Sequence, residues 1–354
     1  MKRKPINLIV AFIITVVISC NEPETVVTNY VHTDGSVTRK IEMKSSEGDV
    51  NKRFKISDIQ VPLDSTWTVK DSCEVTEKGD TIWVRREEKL FKSVDEINLA
   101  YKSDSGANKE AIRNAGFKKR FKWFNTEFRF SERIDKRFSF GYIVNKFLNN
   151  EELLYFYSPE SLKQEKKNGP DSLKFRILSD SVDHKTEIWA YKNLASEWIG
   201  EFSKLATGKT GDDLSYKSLK IREDEFVKIV KTYENNFDSL WSNGFLLKKL
   251  IGDANALEYK TQADSALKIV IKNFMMNFED YSVRIAMPGK LIGTNGFIDR
   301  SKVLFWPVKS DYFLTEPYEM WAESKISNTW AWIASGFFLV FVLTGVIMRL
   351  LKKD

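Results

Sequence analysis

The feature that most constrains this chain is a long apolar run close to the C-terminus. No charged residue occurs from Ile326 to Met348, and residues 332–348 read WIASGFFLVFVLTGVIM. At about 1.5 Å of rise per residue, roughly twenty residues cross the ~30 Å hydrocarbon core of a bilayer. The run is apolar on every face, whereas a surface helix of a globular domain has a polar side. We therefore predict a transmembrane helix over residues 329–350.

The residues at the two ends of this run predict its orientation. Trp330 and Trp332 stand at one end, where indole rings favour the membrane–water interface. Arg349, Lys352 and Lys353 stand at the other end, and positive flanks stay in the cytoplasm. Residues 351–354 are then a cytoplasmic tail, and the rest lies on the periplasmic or extracytoplasmic side. A single helical span favours the cytoplasmic (inner) membrane, because outer membranes mostly carry closed barrels.

The N-terminus has the parts of an export signal. Residues 2–4 are Lys-Arg-Lys, and an apolar stretch from Leu8 to Ile18 follows them. Residues 17–20, VISC, resemble the lipobox of bacterial lipoproteins, in which the cysteine becomes the acylated N-terminus. We expect residues 1–19 to be a lipoprotein signal peptide and Cys20 to carry palmitate-type acyl chains; the alternative is a plain signal that happens to contain a cysteine. Cys73 would then be the one remaining thiol.

The net charge gives no support for a polyanionic partner. The chain has 55 Lys and Arg against 49 Asp and Glu, a formal charge of +6. In the predicted topology, three positive charges of the signal and a net charge of +2 from the tail lie outside the exported part. The exported part then has a charge of +1, close to neutral. We predict no nucleic-acid partner. Residues 203–210, SKLATGKT, end like a phosphate-binding loop but lack its first glycine, so we predict no nucleotide either.

The exported part predicts an α+β fold. Strands over 28–32 and 36–44 flank the Asp34-Gly35 turn, and a second pair covers 66–76 and 80–91. From about Tyr142 to Phe278 the apolar residues recur at helical spacing, and strands return after Tyr281. We predict a β-rich part over 20–140, a helical segment over 141–279, and C-terminal strands over 280–328. The N-terminal hairpins and the C-terminal strands are expected to form one sheet.

The stretch before the apolar run contains a set of turn and core residues in a distinctive order. It includes Met287-Pro288-Gly289-Lys290, Asn295-Gly296, the strand residues 303–306, and Ala322-Glu323-Ser324. Together with the Asp34-Gly35 hairpin that follows the lipobox, this order resembles the LppM-like bacterial lipoprotein domain. The resemblance implies a lipid-anchored envelope protein with an α+β domain that handles lipids. It implies no catalytic residues.

The sequence offers no recognisable catalytic or metal-binding constellation. The two histidines, His32 and His184, are far from any cysteine or acidic cluster with zinc-ligand spacing, and no serine stands in a nucleophile elbow. Paired acids occur at Glu151-Glu152 and Asp212-Asp213, so catalysis by carboxylates alone stays open as an alternative. We predict no catalytic residues, no metal and no cofactor.

Residues 117–130, FKKRFKWFNTEFRF, combine cations with aromatic rings. Read as a strand, Phe124, Phe128 and Phe130 lie on one face, and Phe121 and Trp123 on the other. The cations of such an edge would attract anionic headgroups, each adding about 1 kcal/mol near the surface. We predict a membrane-surface contact formed by Lys118, Lys119, Arg120, Lys122 and Trp123. The alternative is a structural strand with both faces partly covered.

Three function classes follow from these observations. The first hypothesis is a non-enzymatic, membrane-anchored lipoprotein of the cell envelope, whose partners are membrane lipids and an envelope protein. The second is an extracytoplasmic enzyme that acts on an envelope polymer through carboxylates. The third is a scaffold subunit of a membrane complex.

The lipobox generates a direct prediction. Mass spectrometry of the mature chain should show an N-terminus at Cys20 with added acyl mass. The Cys20→Ala variant should stay in the membrane fraction, because the C-terminal helix anchors far more strongly than acyl chains do. An intact Met1, or a free amine at a later residue, would refute the acylation.

Overall fold

The computed structural model describes residues 24–46, 54, 64–75, 79–104, 108–169, 171–206, 214–232, 237–274, 278–298 and 303–352. The predicted signal peptide, the predicted acylation site Cys20 and the tail residue Lys353 lie outside these described residues.

The described chain forms eleven strands and eleven α-helices. The strands are β1 Glu24–Val31, β2 Val37–Ser45, β3 Thr68–Val75, β4 Thr81–Phe91, β5 Arg113–Lys122, β6 Asn125–Ile134, β7 Tyr281–Ala286, β8 Lys290–Thr294, β9 Phe297–Ile298, β10 Leu304–Val308 and β11 Tyr318–Ser327. The helices are α1 Val94–Lys102, α2 Asn150–Tyr157, α3 Glu160–Lys167, α4 Ser172–Ala206, α5 Tyr216–Lys220, α6 Glu223–Thr232, α7 Phe237–Ser242, α8 Phe245–Ile251, α9 Asp253–Glu258, α10 Lys260–Phe274 and α11 Thr329–Leu351.

These elements divide into two compact units. Residues 135–280 and 307–318 form one, here called the helical unit, and residues 24–134, 281–306 and 319–352 form the other, here called the strand unit. Each unit combines residues that precede the predicted helical segment in the sequence with residues that follow it.

The largest sheet confirms the predicted α+β class. It has seven strands in the order β3-β4-β2-β1-β7-β10-β9, so the two N-terminal hairpins and C-terminal strands share one sheet. β1 and β7 pair in parallel, with Tyr30 opposite Ala286. Helices α2 to α10 lie between β6 and β7 in sequence, as predicted.

Local chemistry explains the first hairpin. Every second residue of β2 is buried, including Val37, Ile41 and Met43, which is the pattern of a half-buried strand. The carboxylate of Asp34 accepts hydrogen bonds from the backbone N and the hydroxyl of Ser36, at 3.0 and 2.7 Å. Gly35 follows with a φ of 92°, a conformation that favours glycine. The predicted Asp-Gly turn is therefore confirmed.

A second sheet of the strand unit was not predicted. It has the order β5-β6-β11-β8, and β6 buries Phe128, Phe130 and Ile134. The short helix α1, which buries Ile97 and Tyr101, was also not predicted within the β-rich part.

A buried polar cluster joins strands of the two sheets within the strand unit. Arg39 of β2 is 1% exposed and forms an ion pair with Glu132 of β6. Its other guanidinium nitrogens donate to Asn29 and to the hydroxyl of Tyr101, both at 2.8 Å. Burial raises the pKa of Tyr101, so the phenol keeps its proton. Each guanidinium nitrogen of Arg39 thus donates to a fixed acceptor, and these bonds tie the two sheets to each other.

The helical unit packs around stacked aromatic rings on α4. The Trp198 ring stacks on Phe202 and Phe226, with centroids 5.1 and 5.3 Å apart, and meets Trp241 edge-on. Residues 138–142, which belong to no helix or strand, lie along the same helix. Its backbone N–H groups at Ser139 and Phe140 donate to the buried carboxylate of Glu197, at 3.0 and 2.7 Å. Side chains of one helix therefore replace a strand neighbour for this segment.

Glu87 of β4 generates a stability prediction. Its side chain is buried, and its two carboxylate oxygens have no hydrogen-bond partner among the described residues. Burial raises the pKa of Glu87 to about 7. The folded chain therefore binds this proton more tightly than the unfolded chain, and the free energy of unfolding falls as pH rises from about 4.5 to about 7.

The Glu87→Gln variant should remove this fall, since the amide stays neutral. We expect the variant to raise the melting temperature over the natural chain at pH 8 and to leave it nearly unchanged at pH 4.5. Glu88→Gln is the matched control, because the neighbouring carboxylate is half exposed and pairs with Lys40. Equal melting shifts for Glu87→Gln at both pH values would contradict the prediction.

Candidate membrane-contact site

The β5–β6 hairpin ends in an unusual turn. Lys122 and Asn125 are paired in the strand register, so the turn consists of Trp123 and Phe124 alone. Two-residue hairpin turns usually contain glycine or asparagine, because they need φ values that other residues adopt reluctantly. Two aromatic residues therefore form a turn that its local sequence does not favour.

Asn328 supplies the hydrogen bonds that hold this turn. Its side-chain amide donates to the carbonyls of Lys122 and Trp123, at 2.7 and 3.2 Å, and its backbone N–H donates to the carbonyl of Phe124 at 2.9 Å. The amide oxygen accepts from the hydroxyl of Thr126 at 3.0 Å. Asn328 is the N-cap residue of α11, yet its side chain makes no capping bond to that helix. It binds the hairpin instead.

Aromatic contacts extend this attachment along α11. The Phe121 ring stacks on Trp330 with centroids 6.3 Å apart, and Trp123 meets Trp330 edge-on at 5.3 Å. Phe124 packs against Trp332 at 4.3 Å. The hairpin tip and the first turn of the helix thus form one aromatic group. We call these five residues the aromatic collar.

The aromatic collar is exposed even though its rings contact one another. The exposed fractions are 58% for Phe121, 51% for Trp123, 38% for Phe124, 54% for Trp330 and 57% for Trp332. Five large rings side by side at the surface form a patch of the kind that marks a protein or membrane interaction site. The patch continues into α11, whose apolar window is only 6% buried and whose length suffices to span a membrane.

The predicted cations lie on β5 directly behind the collar. Lys118, Lys119, Arg120 and Lys122 are all exposed. Lys119 donates to the carbonyl of Thr33 at 3.1 Å, and Lys122 forms an ion pair with Glu127. Lys118 and Arg120 have no ion-pair partner within the described part of the chain. These two charges are therefore available to a ligand.

The predicted face assignment for residues 117–130 is wrong in one respect. Phe121 lies opposite Thr126 and Lys119 lies opposite Phe128, so Phe121 shares a face with Phe128 rather than opposing it. The prediction treated the stretch as one strand, whereas the chain reverses at Trp123-Phe124. Lys118, Arg120 and Lys122 occupy the opposite face, beside the ion pair of Arg129 with Glu323.

The predicted cations at the C-terminal end of α11 are described except for Lys353. Arg349 and Lys352 are exposed at the far end of α11. The rise of an α-helix puts Arg349 about 28 Å from Trp330, close to the thickness of a hydrocarbon core. The helix therefore matches a bilayer in length as well as in composition.

A polar cluster in the helical unit has some features of a serine–lysine catalytic pair. The ammonium of Lys220 donates to the hydroxyl of Ser196 and, at 2.7 Å, to Glu223. Burial favours the neutral amine, but the hydrogen bonds to Glu223 and Tyr142 prevail and raise the pKa of Lys220. A protonated lysine cannot accept the proton of Ser196, whose hydroxyl donates to the carbonyl of Phe140. This geometry stabilises the fold and does not activate a nucleophile.

The paired acids singled out in the sequence also have a structural role where they are described. Glu152 forms a capping box with Asn149 at the start of α2 and an ion pair with Lys185. The Lys185 ammonium lowers the pKa of Glu152 to about 2. Asp212-Asp213 lies outside the described residues. Within the described ranges, no group of three or more His, Cys, Asp or Glu is placed to hold a metal ion.

Comparison with known proteins adds little to this geometry. No protein-family model matches the chain, and no curated protein matches its sequence. Among solved structures, the chain is similar to the folded domain of LppM from Mycobacterium tuberculosis, determined by NMR, with a TM-score of 0.29 and 10% identity over 86% of this chain and 91% of that chain. This weak likeness concerns the fold alone, and we transfer no residue role from it.

The Asn328 contacts generate a prediction for the hairpin turn. Asn328→Ala removes three side-chain hydrogen bonds and leaves two carbonyls without their donor, at a cost of roughly 1–3 kcal/mol. Amide hydrogen exchange in a peptide covering residues 117–130 should become about tenfold faster. Thr126→Val, which removes only one of these bonds, should give a smaller increase. Unchanged exchange in Asn328→Ala would show that the turn is stable without this residue.

Proposed function

We propose that this chain is a single-pass, membrane-anchored lipoprotein of the cell envelope that has no catalytic role and binds a lipid or an envelope-protein partner with its extracytoplasmic part. The observation that carries the proposal is the direct continuity between the sheet and the apolar helix. β11 ends at Ser327 and α11 begins at Thr329, so Asn328 alone separates them. Hydrogen bonds on both sides of Asn328 leave no flexible linker, and the strand unit is held at the bilayer surface.

The charge distribution supports the proposed sidedness. Arg349, Lys352 and Lys353 follow the apolar run, whereas its other end carries tryptophans and one nearby cation, Lys325, with Glu323 beside it. Positive flanks stay in the cytoplasm, so the sheet side faces outward. The export signal and lipobox at residues 1–20 lead to the same topology and add an acyl anchor at Cys20.

The roles of three buried acids of the helical unit support a non-enzymatic function. Glu197 holds backbone N–H groups of residues 139 and 140, Glu152 caps a helix, and Glu223 neutralises Lys220. Each of these carboxylates is committed to fixed partners in the folded chain. A general acid or base needs a carboxyl that can meet a substrate.

A scaffold role in a membrane complex is the second candidate, and one observation favours it. Leu173 and Ile177 are one turn apart on α4 and are 63% and 62% exposed. Adjacent exposed aliphatic residues on a helix suit a contact with another protein subunit.

The topology can be tested with cysteine labelling. Cys73 is exposed, so a membrane-impermeant maleimide added to intact spheroplasts should label it. A cysteine placed by Lys352→Cys in a Cys73→Ser background should react only after lysis. Labelling of the tail cysteine and protection of Cys73 in intact spheroplasts would refute the proposed sidedness. A chain that alkaline carbonate releases from membranes would refute the spanning helix.

A further inference from the structure

The contacts of the β5–β6 tip define its depth relative to α11. The indole N–H of Trp123 donates to the hydroxyl of Ser335 at 2.9 Å. Ser335 lies six residues beyond Thr329, which is about 9 Å along the helix axis. The tip therefore reaches past the first helical turn into the apolar part of the helix.

The same contacts define the direction of the hairpin. Phe121 meets Trp330, whereas Trp123, two residues later, reaches both Trp330 and Ser335. The strand thus runs along the helix with its tip leading toward the segment that spans the bilayer. Along β5, Arg120 and Lys118 lie about 7 and 14 Å behind Lys122, on the same face of the strand.

This order of residues matches the layers of a bilayer surface. Aromatic rings come first, at the depth of Trp330 and Trp332, where indoles favour the boundary between acyl chains and headgroups. Exposed cations follow at increasing height, and two of them, Lys118 and Arg120, have no ionic partner in the described part of the chain. Cations at that height meet the phosphate groups of anionic lipids. A soluble protein partner would have to approach the collar where the helix enters the membrane.

We propose that the β5–β6 tip is a second membrane-inserted element, an inference that rests on the proposed function. Phe121, Trp123 and Phe124 enter the interfacial layer of the same bilayer that α11 spans. Arg120 and Lys118, which have no ion pair in the described part of the chain, bind the phosphates of anionic phospholipids above them. Asn328 ties the tip to the helix, so the strand unit is held at two adjacent points and cannot rotate freely about the helix.

The test measures membrane depth at single labelled positions in the full chain. In a Cys20→Ala, Cys73→Ser background, an environment-sensitive fluorophore is attached at Phe124→Cys, Phe338→Cys or Ile112→Cys, and the chain is placed in nanodiscs with about a third of phosphatidylglycerol. Phe338 lies within α11, and Ile112 is 65% exposed at the far end of the same hairpin. We expect nitroxide-labelled lipid to quench the probes at positions 124 and 338 at least twofold more than the probe at 112.

The three positions separate failure of this inference from failure of the proposed function. A probe at 124 that behaves like the probe at 112, with 338 quenched, overturns insertion of the tip alone. Probes at 124 and 338 that both behave like 112 overturn the membrane anchor and the inference together. Lys122→Cys provides a second labelling position at the exposed tip if Phe124→Cys disturbs folding.

The role of the cations is tested with the probe at 124. Replacing both Lys118 and Arg120 by glutamine should at least halve the quenching by lipid, and so should nanodiscs of phosphatidylcholine alone. Replacing both Lys102 and Lys109 by glutamine, at exposed positions elsewhere in the strand unit, is the charge-matched control and should leave the quenching unchanged. Quenching that is insensitive to both changes overturns the binding of anionic headgroups.

Discussion

The arrangement of the strand unit at its membrane end depends on the hydrogen bonds of Asn328. The peptide groups of a tight turn need partners, and the Trp123-Phe124 turn has no glycine or turn-forming side chain of its own. Asn328 meets this need from a position about 200 residues later in the sequence. In doing so it leaves the N–H groups of α11 without a side-chain cap, which is tolerable at a membrane interface where water and lipid headgroups offer acceptors. One residue thereby couples a hairpin, a strand and a helix.

The position of the hairpin within the strand unit rests on a second interaction, the buried pair of Arg39 and Glu132. Breaking a buried pair is costly, because the charge that remains has neither water nor a counter-ion. Asn29 of β1 and Tyr101 of α1 accept from the other two guanidinium nitrogens of Arg39, so the full set of bonds forms only when β1, β2, β6 and α1 are all in place. Apolar side chains could fill the same volume in several registers. The directional hydrogen bonds of a guanidinium permit only one register. This explains why a charged pair is found here, although burying apolar side chains would cost less free energy.

The sequence predicted those elements whose cause is local. The Asp34-Gly35 turn, the alternation in β2 and the uncharged span before Arg349 each carry their signal within a few residues, and each was found. The second sheet and the Trp123-Phe124 turn have causes that are distant in sequence. Strand β11 joins β6 and β8 only after the helical segment has been crossed, and the turn depends on Asn328. Helix α1 has a local signal, since Ser93 precedes two acids and Ile97 and Tyr101 are one turn apart, but nine residues are too short a window for periodicity to stand out.

A departure from local rules is itself informative about the collar. A hairpin tip in water is best made from glycine, asparagine or aspartate, which turn easily and are well solvated. Trp123 and Phe124 are poor turn formers and expose large rings, so in water the hydration of this tip is unfavourable. Natural sequences keep such costs mainly where function requires the residues. At a membrane interface the same rings are favourable rather than costly, because indole and phenyl groups gain free energy there. The proposed insertion at a membrane interface thus accounts for the composition of the turn, and the hydrogen bonds of Asn328 hold its geometry.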